Sequence, residues 1–143
     1  MRFRRLGPKG QETPVVMGAD GRYLDLSPIT RDITGDFLEN NGIEKTALAL
    51  REGSLTEIVE ASSMRVGAPI SRPPAVICIG QNYAAHAAES GSEVPSVPLV
   101  FFKHPNTVVG PYDNLLRPPH SRKLDWEVEL GVVIGTRARY LTG

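Results

Sequence analysis

The chain opens with short apolar-containing runs. Residues 3–6 and 14–18 are two such runs, and Arg22-Tyr23-Leu24-Asp25-Leu26 is a third. Asp20-Gly21, between the last two, is a strong turn dipeptide. The start of the chain therefore predicts a small antiparallel ribbon whose lysines and arginines are solvated. From about 34 to 62 the apolar spacing becomes helical. Phe37 and Leu38 mark a first segment ending near Asn40-Asn41-Gly42, and Ala47, Leu48 and Leu50 mark a second ending near Gly53. Ser54 followed by Glu57 matches a capping box, and Leu55, Ile58 and Val59 supply the apolar stripe of a third helix. Glu39, Glu44, Glu52 and Glu60 are expected on wet helical faces. Residues 63–74 contain Pro69, Pro73 and Pro74, which oppose helix. They predict a connector, with a domain boundary near residue 70.

Beyond that boundary a compact apolar strand is predicted over 75–79, stopped by Gly80, which allows a sharp turn. Alanine-rich residues 84–88 predict a helix, with Asn82 as its cap and Gly91 as its stop. Residues 92–98 read as a loop, 99–102 as a strand, 107–109 as another short run and 112–120 as a turn-rich approach. Then comes Asp125-Trp126-Glu127-Val128-Glu129-Leu130, continuing into Gly131-Val132-Val133-Ile134-Gly135. Alternation here predicts a strand. Residues two apart share a face, so Glu127 and Glu129 would lie side by side with Val128 and Leu130 opposite.

Composition sharpens the fold class. The 14 glycines and 12 prolines sit mostly singly between short apolar runs, which favours short strands and turns over a helical bundle and gives an α+β class. A length of 143 residues suits one domain, or a domain with a small appendage. The division expected is a small α+β unit over 1–70 and a second domain over 71–143. Lys plus Arg equals Asp plus Glu at 16 each, which argues against a general nucleic-acid binder. The single cysteine, Cys78, has no intrachain partner and reads as a small buried hydrophobe in a reducing compartment. The N-terminus lacks the apolar run of a signal peptide, and no span is long enough to cross a bilayer. A cytoplasmic protein without a membrane partner is expected. There is no phosphate-binding loop, no GxGxxG, no HExxH and no zinc-spaced cysteine pair.

Two constellations can carry chemistry. His86 exchanges protons near neutral pH, and Glu89, three residues on, shares its helical face. Together they make a general base if they face a cleft, or an ordinary surface pair if they do not. Glu127 and Glu129 on a strand leading into an apolar run need a partner, because unpaired buried charge is costly. A hard divalent cation, an arginine or plain solvent would each serve. Oxygen donors of this kind suit Mg²⁺ or Mn²⁺. Asp125 shares their parity and can ligate, cap the strand or pair with Arg122 or Lys123. Lys103 can meet a substrate carboxylate or shield the sheet. Gln81 and Tyr83, beside the histidine, can contribute hydrogen bonds.

The run Ile79-Gly80-Gln81-Asn82-Tyr83-Ala84-Ala85-His86-Ala87-Ala88-Glu89, then Pro98-Leu99-Val100-Phe101-Phe102-Lys103, then Gly110-Pro111, then Asp125 to Gly135 resembles the fumarylacetoacetate hydrolase family over roughly 75–135. Residues 1–70 are similar to the small variable domain ahead of the catalytic domain in many members. The resemblance implies a mixed β-roll, incomplete here, in a homodimeric enzyme that binds Mg²⁺, Mn²⁺ or Ca²⁺. It implies a small anionic oxo-acid substrate, with hydrolytic C–C cleavage of a carboxylated 1,3-dicarbonyl (acylpyruvate or fumarylacetoacetate-like) as the leading activity. Decarboxylation of a 2-oxo acid, 2-hydroxymuconate-type isomerisation and a non-catalytic fragment are the alternatives. It maps the metal glutamates onto Glu127 and Glu129, and the acid–base pair onto His86 and Glu89. The family pattern has a third metal carboxylate about thirty residues after the glutamate pair, past Gly143. The expectation is thus the N-terminal half of such an enzyme.

Overall fold

Val15-Val16 are consecutive β-branched apolar residues in Thr13–Met17, and neighbouring residues of a strand point to opposite faces. A strand with both sites apolar can be buried on both sides. In the computed structural model, which describes residues 1–142, Thr13–Met17 is the central strand, β2, and both valines are fully buried. Burying each contributes about 2 kcal/mol. β1 (Arg2–Leu6) and β3 (Tyr23–Asp25) flank it antiparallel, in the order β1-β2-β3, with Phe3 opposite Val16 and Val16 opposite Leu24. The predicted ribbon is present.

The chain forms two compact units, one of Met1–Ser71 with the segment from Val109 onward, the other of Arg72–Val108. In the first, Leu6, Val15 and Ala61 form a core with Tyr23, Ile58, Met64 and Val66 packed against it. Phe3 meets Phe37 edge to face, with ring centroids 5.6 Å apart. That contact docks β1 on α1 (Gly35–Glu39), whose N-cap Thr34 accepts the Phe37 N–H. α2 (Gly42–Glu52) comes next and ends at Gly53 in the left-handed region, φ 63°.

The predicted third helix does not form. Ser54 finishes α2 instead of starting a helix, since its N–H and Oγ both donate to the Ala49 carbonyl at 3.1 and 3.3 Å. The next residues lie along β3. Asp25 N–H donates to the Thr56 carbonyl, Ile58 N–H donates to the Tyr23 carbonyl, and Leu24 and Glu57 form a bridge. An edge strand with unpaired backbone groups outcompeted a local capping box. A 3-10 turn, Ala61–Ser63, then leads to Val66, which bridges Leu6 on the other edge.

The expected strand over 125–135 is also absent. Residues 114–142 form no helix or strand, and Trp126, Val128, Leu130, Val132 and Ile134 are exposed. Alternation assigns faces, but a strand persists only where a ladder satisfies its backbone. No strand pairs with this segment among the described residues.

In the second unit β4 (Val76–Gly80) pairs antiparallel with β5 (Leu99–Lys103), Ile77 opposite Phe102 and Ile79 opposite Val100. α3 (Ala84–Glu89) lies between them in sequence, Pro105–Thr107 is a 3-10 turn, and the short run expected over 107–109 forms no strand. Cys78 is half-buried rather than in a core. The whole is an α+β structure with an open, unclosed sheet, consistent with part of a β-roll preceded by a small α+β region. Among the described residues no helix is long and apolar enough to cross a membrane.

Candidate functional site

The strand-to-helix turn positions the first candidates. Gly80 remains inside β4, opposite Leu99, so it is not the turning residue expected. The turn is made by Gln81, whose φ of 51° is in the left-handed region. A side chain there stores strain of about 1 kcal/mol or more, a cost often met at ligand-binding positions. Tyr83, not Asn82, is the N-cap of α3, and no side chain caps that end.

α3 is anchored through Ala87, which is fully buried, while His86 and Glu89 are exposed. The helix stops at Gly91, φ 70°, where Ser90 N–H returns to the His86 carbonyl and Ser92 N–H to the Ala87 carbonyl. His86 and Glu89 thus sit one turn apart on the wet side of a short helix, as the spacing predicted. Gln81 and Tyr83 lie on the chain leading into it. Lys103 is the last residue of β5, opposite Val76, and is exposed.

Glu127 and Glu129 belong to the other unit, in the segment without a sheet, and both are exposed. Strand parity therefore does not hold them together. Asp125 Oδ1 accepts the N–H of Trp126, capping its own backbone. Among the described residues no three His, Cys, Asp or Glu side chains are grouped to hold a metal. The donor type of Glu127 and Glu129 fits a hard cation, but two carboxylates are fewer than such an ion takes.

The strongest electrostatic feature lies elsewhere and was not anticipated. Arg5, expected on the solvated surface, is buried at 6% exposure. Its Nε and Nη2 donate to Asp32 at 2.5 and 2.9 Å, Nη2 also reaches Glu12 at 3.1 Å, and Nη1 donates to the Ala68 carbonyl. Arg65 donates to the other Glu12 oxygen at 2.9 Å and grips Asp113 with two nitrogens. The hydrogen bond from Arg65, helped by the Gly110 N–H, holds the Asp113 carboxyl down to about 2. The only signal in the sequence was the parity of Arg5 with Phe3 in β1.

Comparison with known proteins finds similarity over the second unit and the segment beyond it. Residues 75–142 match the family model described as the C-terminal domain of fumarylacetoacetate (FAA) hydrolase. A relative in Burkholderia multivorans is 45% identical over 135 residues, 94% of this chain and 47% of its own length. One in Burkholderia ambifaria is 44% identical over 139 residues, 97% of this chain and 48% of its own. Both carry the name "Putative hydrolase". The chain spans about half the length of the curated relatives it matches.

Proposed function

We propose, from the similarity of residues 75–142 to the fumarylacetoacetate hydrolase family, that the chain supplies the acid–base half of a divalent-metal-dependent hydrolase acting on C–C bonds of carboxylated 1,3-dicarbonyl acids. The family match over 75–142 carries the reading, because it spans His86, Glu89, Glu127 and Glu129 together. Residues 1–70 would be the small N-terminal domain and 71–143 the first part of the catalytic roll. The full-length protein would be a cytoplasmic homodimer.

His86, oriented by Glu89, takes a proton from a water molecule. The hydroxide adds to the substrate carbonyl, the C–C bond breaks, and its electron pair leaves as the enolate of the departing oxo acid. The imidazolium then returns the proton to that carbon, so atoms and charge balance. Gln81 and Tyr83 would donate hydrogen bonds to the substrate, and Lys103 would pair with its carboxylate. Glu127 and Glu129 would hold Mg²⁺, Mn²⁺ or Ca²⁺, and such a cation offsets negative charge on substrate oxygens.

The test replaces Glu127 or Glu129 by Ala, and separately His86 by Gln, in the full-length enzyme. Metal binding is expected to weaken in the first pair and turnover to fall about a hundredfold or more in the second. Unchanged metal binding in both glutamate variants would remove them as ligands, and undiminished turnover in His86→Gln would remove the base. Acylpyruvates, oxaloacetate and 2-hydroxymuconate-type acids assayed side by side separate hydrolysis from decarboxylation and isomerisation.

A further inference from the structure

The second unit leaves the first after Ser71 and returns at Val109. A carboxylate stands at each point of attachment. At the exit, Ser71 N–H donates to the Ile33 carbonyl at 2.8 Å, and the neighbouring Asp32 takes the Ile33 N–H at 2.8 Å. At the return, Asp113 Oδ2 accepts the Gly110 N–H at 2.8 Å. Gly110 lies so close to the 66–67 segment that a Cβ on it would stand 2.2 Å from the Val66 carbonyl oxygen.

Those two carboxylates belong to one chain of alternating charge, Asp32–Arg5–Glu12–Arg65–Asp113. Glu12 is the link. Its side chain is 5% exposed, one oxygen facing Arg5 and the other Arg65. Gly10 N–H donates to it as well, and Gly67 leaves room for it, since a Cβ there would meet Glu12 Cγ and Oε1 at 2.9 Å. Burial alone would raise the Glu12 carboxyl, but the bond from Arg65, the charge of Arg5 and the Gly10 N–H outweigh it and hold it below the usual carboxylate range. No buried side-chain polar atom is left without a partner among the described residues. Each arginine is therefore shared between Glu12 and one anchor, and neither can turn from its anchor without disturbing Glu12.

We propose that Glu12 couples the two attachment points of the 72–108 excursion, so that release of one end loosens the other. The excursion carries Gln81, Tyr83, His86, Glu89 and Lys103, which gives both ends of that stretch one shared latch. The coupling stands apart from the chemistry proposed above, because its readout needs no turnover.

The experiment measures amide hydrogen exchange at Ser71 and Gly110 in the chain and in Asp32→Asn, Asp113→Asn and Glu12→Gln. Asp113→Asn is expected to speed exchange at Ser71, and Asp32→Asn to speed it at Gly110, each about fivefold or more, the scale of ordinary coupling between sites. In Glu12→Gln both amides exchange faster, since an amide NH₂ facing a guanidinium sets donor against donor. Adding Asp113→Asn to that variant then leaves Ser71 unaltered. If each aspartate variant speeds only its own end, the two attachments are independent and the proposal is wrong. The two single aspartate variants decide this even if Glu12→Gln does not fold.

Discussion

Arg65 grips Asp113 in a fork, Nε to Oδ1 at 2.7 Å and Nη2 to Oδ2 at 2.5 Å, across a separation of 48 residues. Paired N–H···O bonds of this kind fix orientation as well as charge. The pair determines an acid response. The Asp113 carboxyl is held at about 2, below its ordinary 3.8, first by the Arg65 hydrogen bond. A carboxyl depressed by folding stabilises the fold above its ordinary value, and that contribution is lost as pH falls toward the folded value. Asp113→Asn should therefore lower the thermal midpoint at pH 7, with the gap to the parent closing between pH 3.8 and about 2. A gap of constant size across that window would show that the pair does not carry the effect.

The junction of α1 and α2 depends on one missing side chain. A Cβ on Gly42 would stand 2.2 Å from Phe37 Cδ2 and 2.3 Å from the Phe37 carbonyl oxygen. The ring could rotate away only by leaving its edge contact with Phe3, and the backbone oxygen cannot move independently. Overpacking at such sites costs about 1–3 kcal/mol. Gly42→Ala should lower the urea midpoint accordingly without changing the slope, while Gly35→Ala, where a Cβ meets nothing within 4 Å, should leave it nearly unchanged.

Legibility in the sequence divides by the range of the interaction. Asp20-Gly21 was legible because the turn is closed locally: Arg22 N–H donates to Asp20, Gly18 N–H to the Arg22 carbonyl, and Gly21 takes φ 83°. α2 was legible from its apolar spacing and α3 from its alanine content, each with the glycine that stops it. The capping box at Ser54 was misleading because the same hydroxyl can end a helix, and which use wins depended on an open edge at Tyr23–Asp25. The burial of Arg5 rests on Asp32, 27 residues away, a partner that its parity with Phe3 in β1 does not report. Alternation brought Glu127 and Glu129 to one face only on the condition of a paired strand, and the described residues provide no strand beside them. His86 and Glu89, needing only a helix turn, lie where the spacing put them.

Gln81 separates strain from function. A non-glycine residue at φ 51° carries about 1–3 kcal/mol of strain, against an entropic cost of about 0.5–1 kcal/mol for glycine. Gln81→Gly should be at least as stable as the parent, by up to about 2.5 kcal/mol, whereas Gln81→Ala keeps the strain and gains nothing. If the strained turn aims the amide at substrate, both variants lose kcat/KM in the full-length enzyme although only one gains stability. Denaturant unfolding beside steady-state kinetics checks both halves, and full activity in Gln81→Gly would free the side chain from any substrate contact.

The β4–β5 ribbon makes the last prediction. Cross-strand partners share a face, so Ile77 with Phe102 and Ile79 with Val100 form one apolar patch, and their exposures are 60, 70, 38 and 56%. Two strands alone are marginal in water, and contiguous exposed apolar surface promotes association. The 143-residue chain should therefore self-associate at micromolar concentrations, the range in which exposed strands and apolar surface become a hazard. Replacing Ile77 and Phe102 together by Thr keeps β-forming residues in both strands and removes the centre of the patch. Sedimentation velocity across a dilution series should then show the double variant shifted toward monomer. The same substitutions at Val132 and Ile134, which are exposed but lie outside any sheet, should shift it less, because scattered apolar residues on an unpaired segment offer no ladder for a second chain to extend.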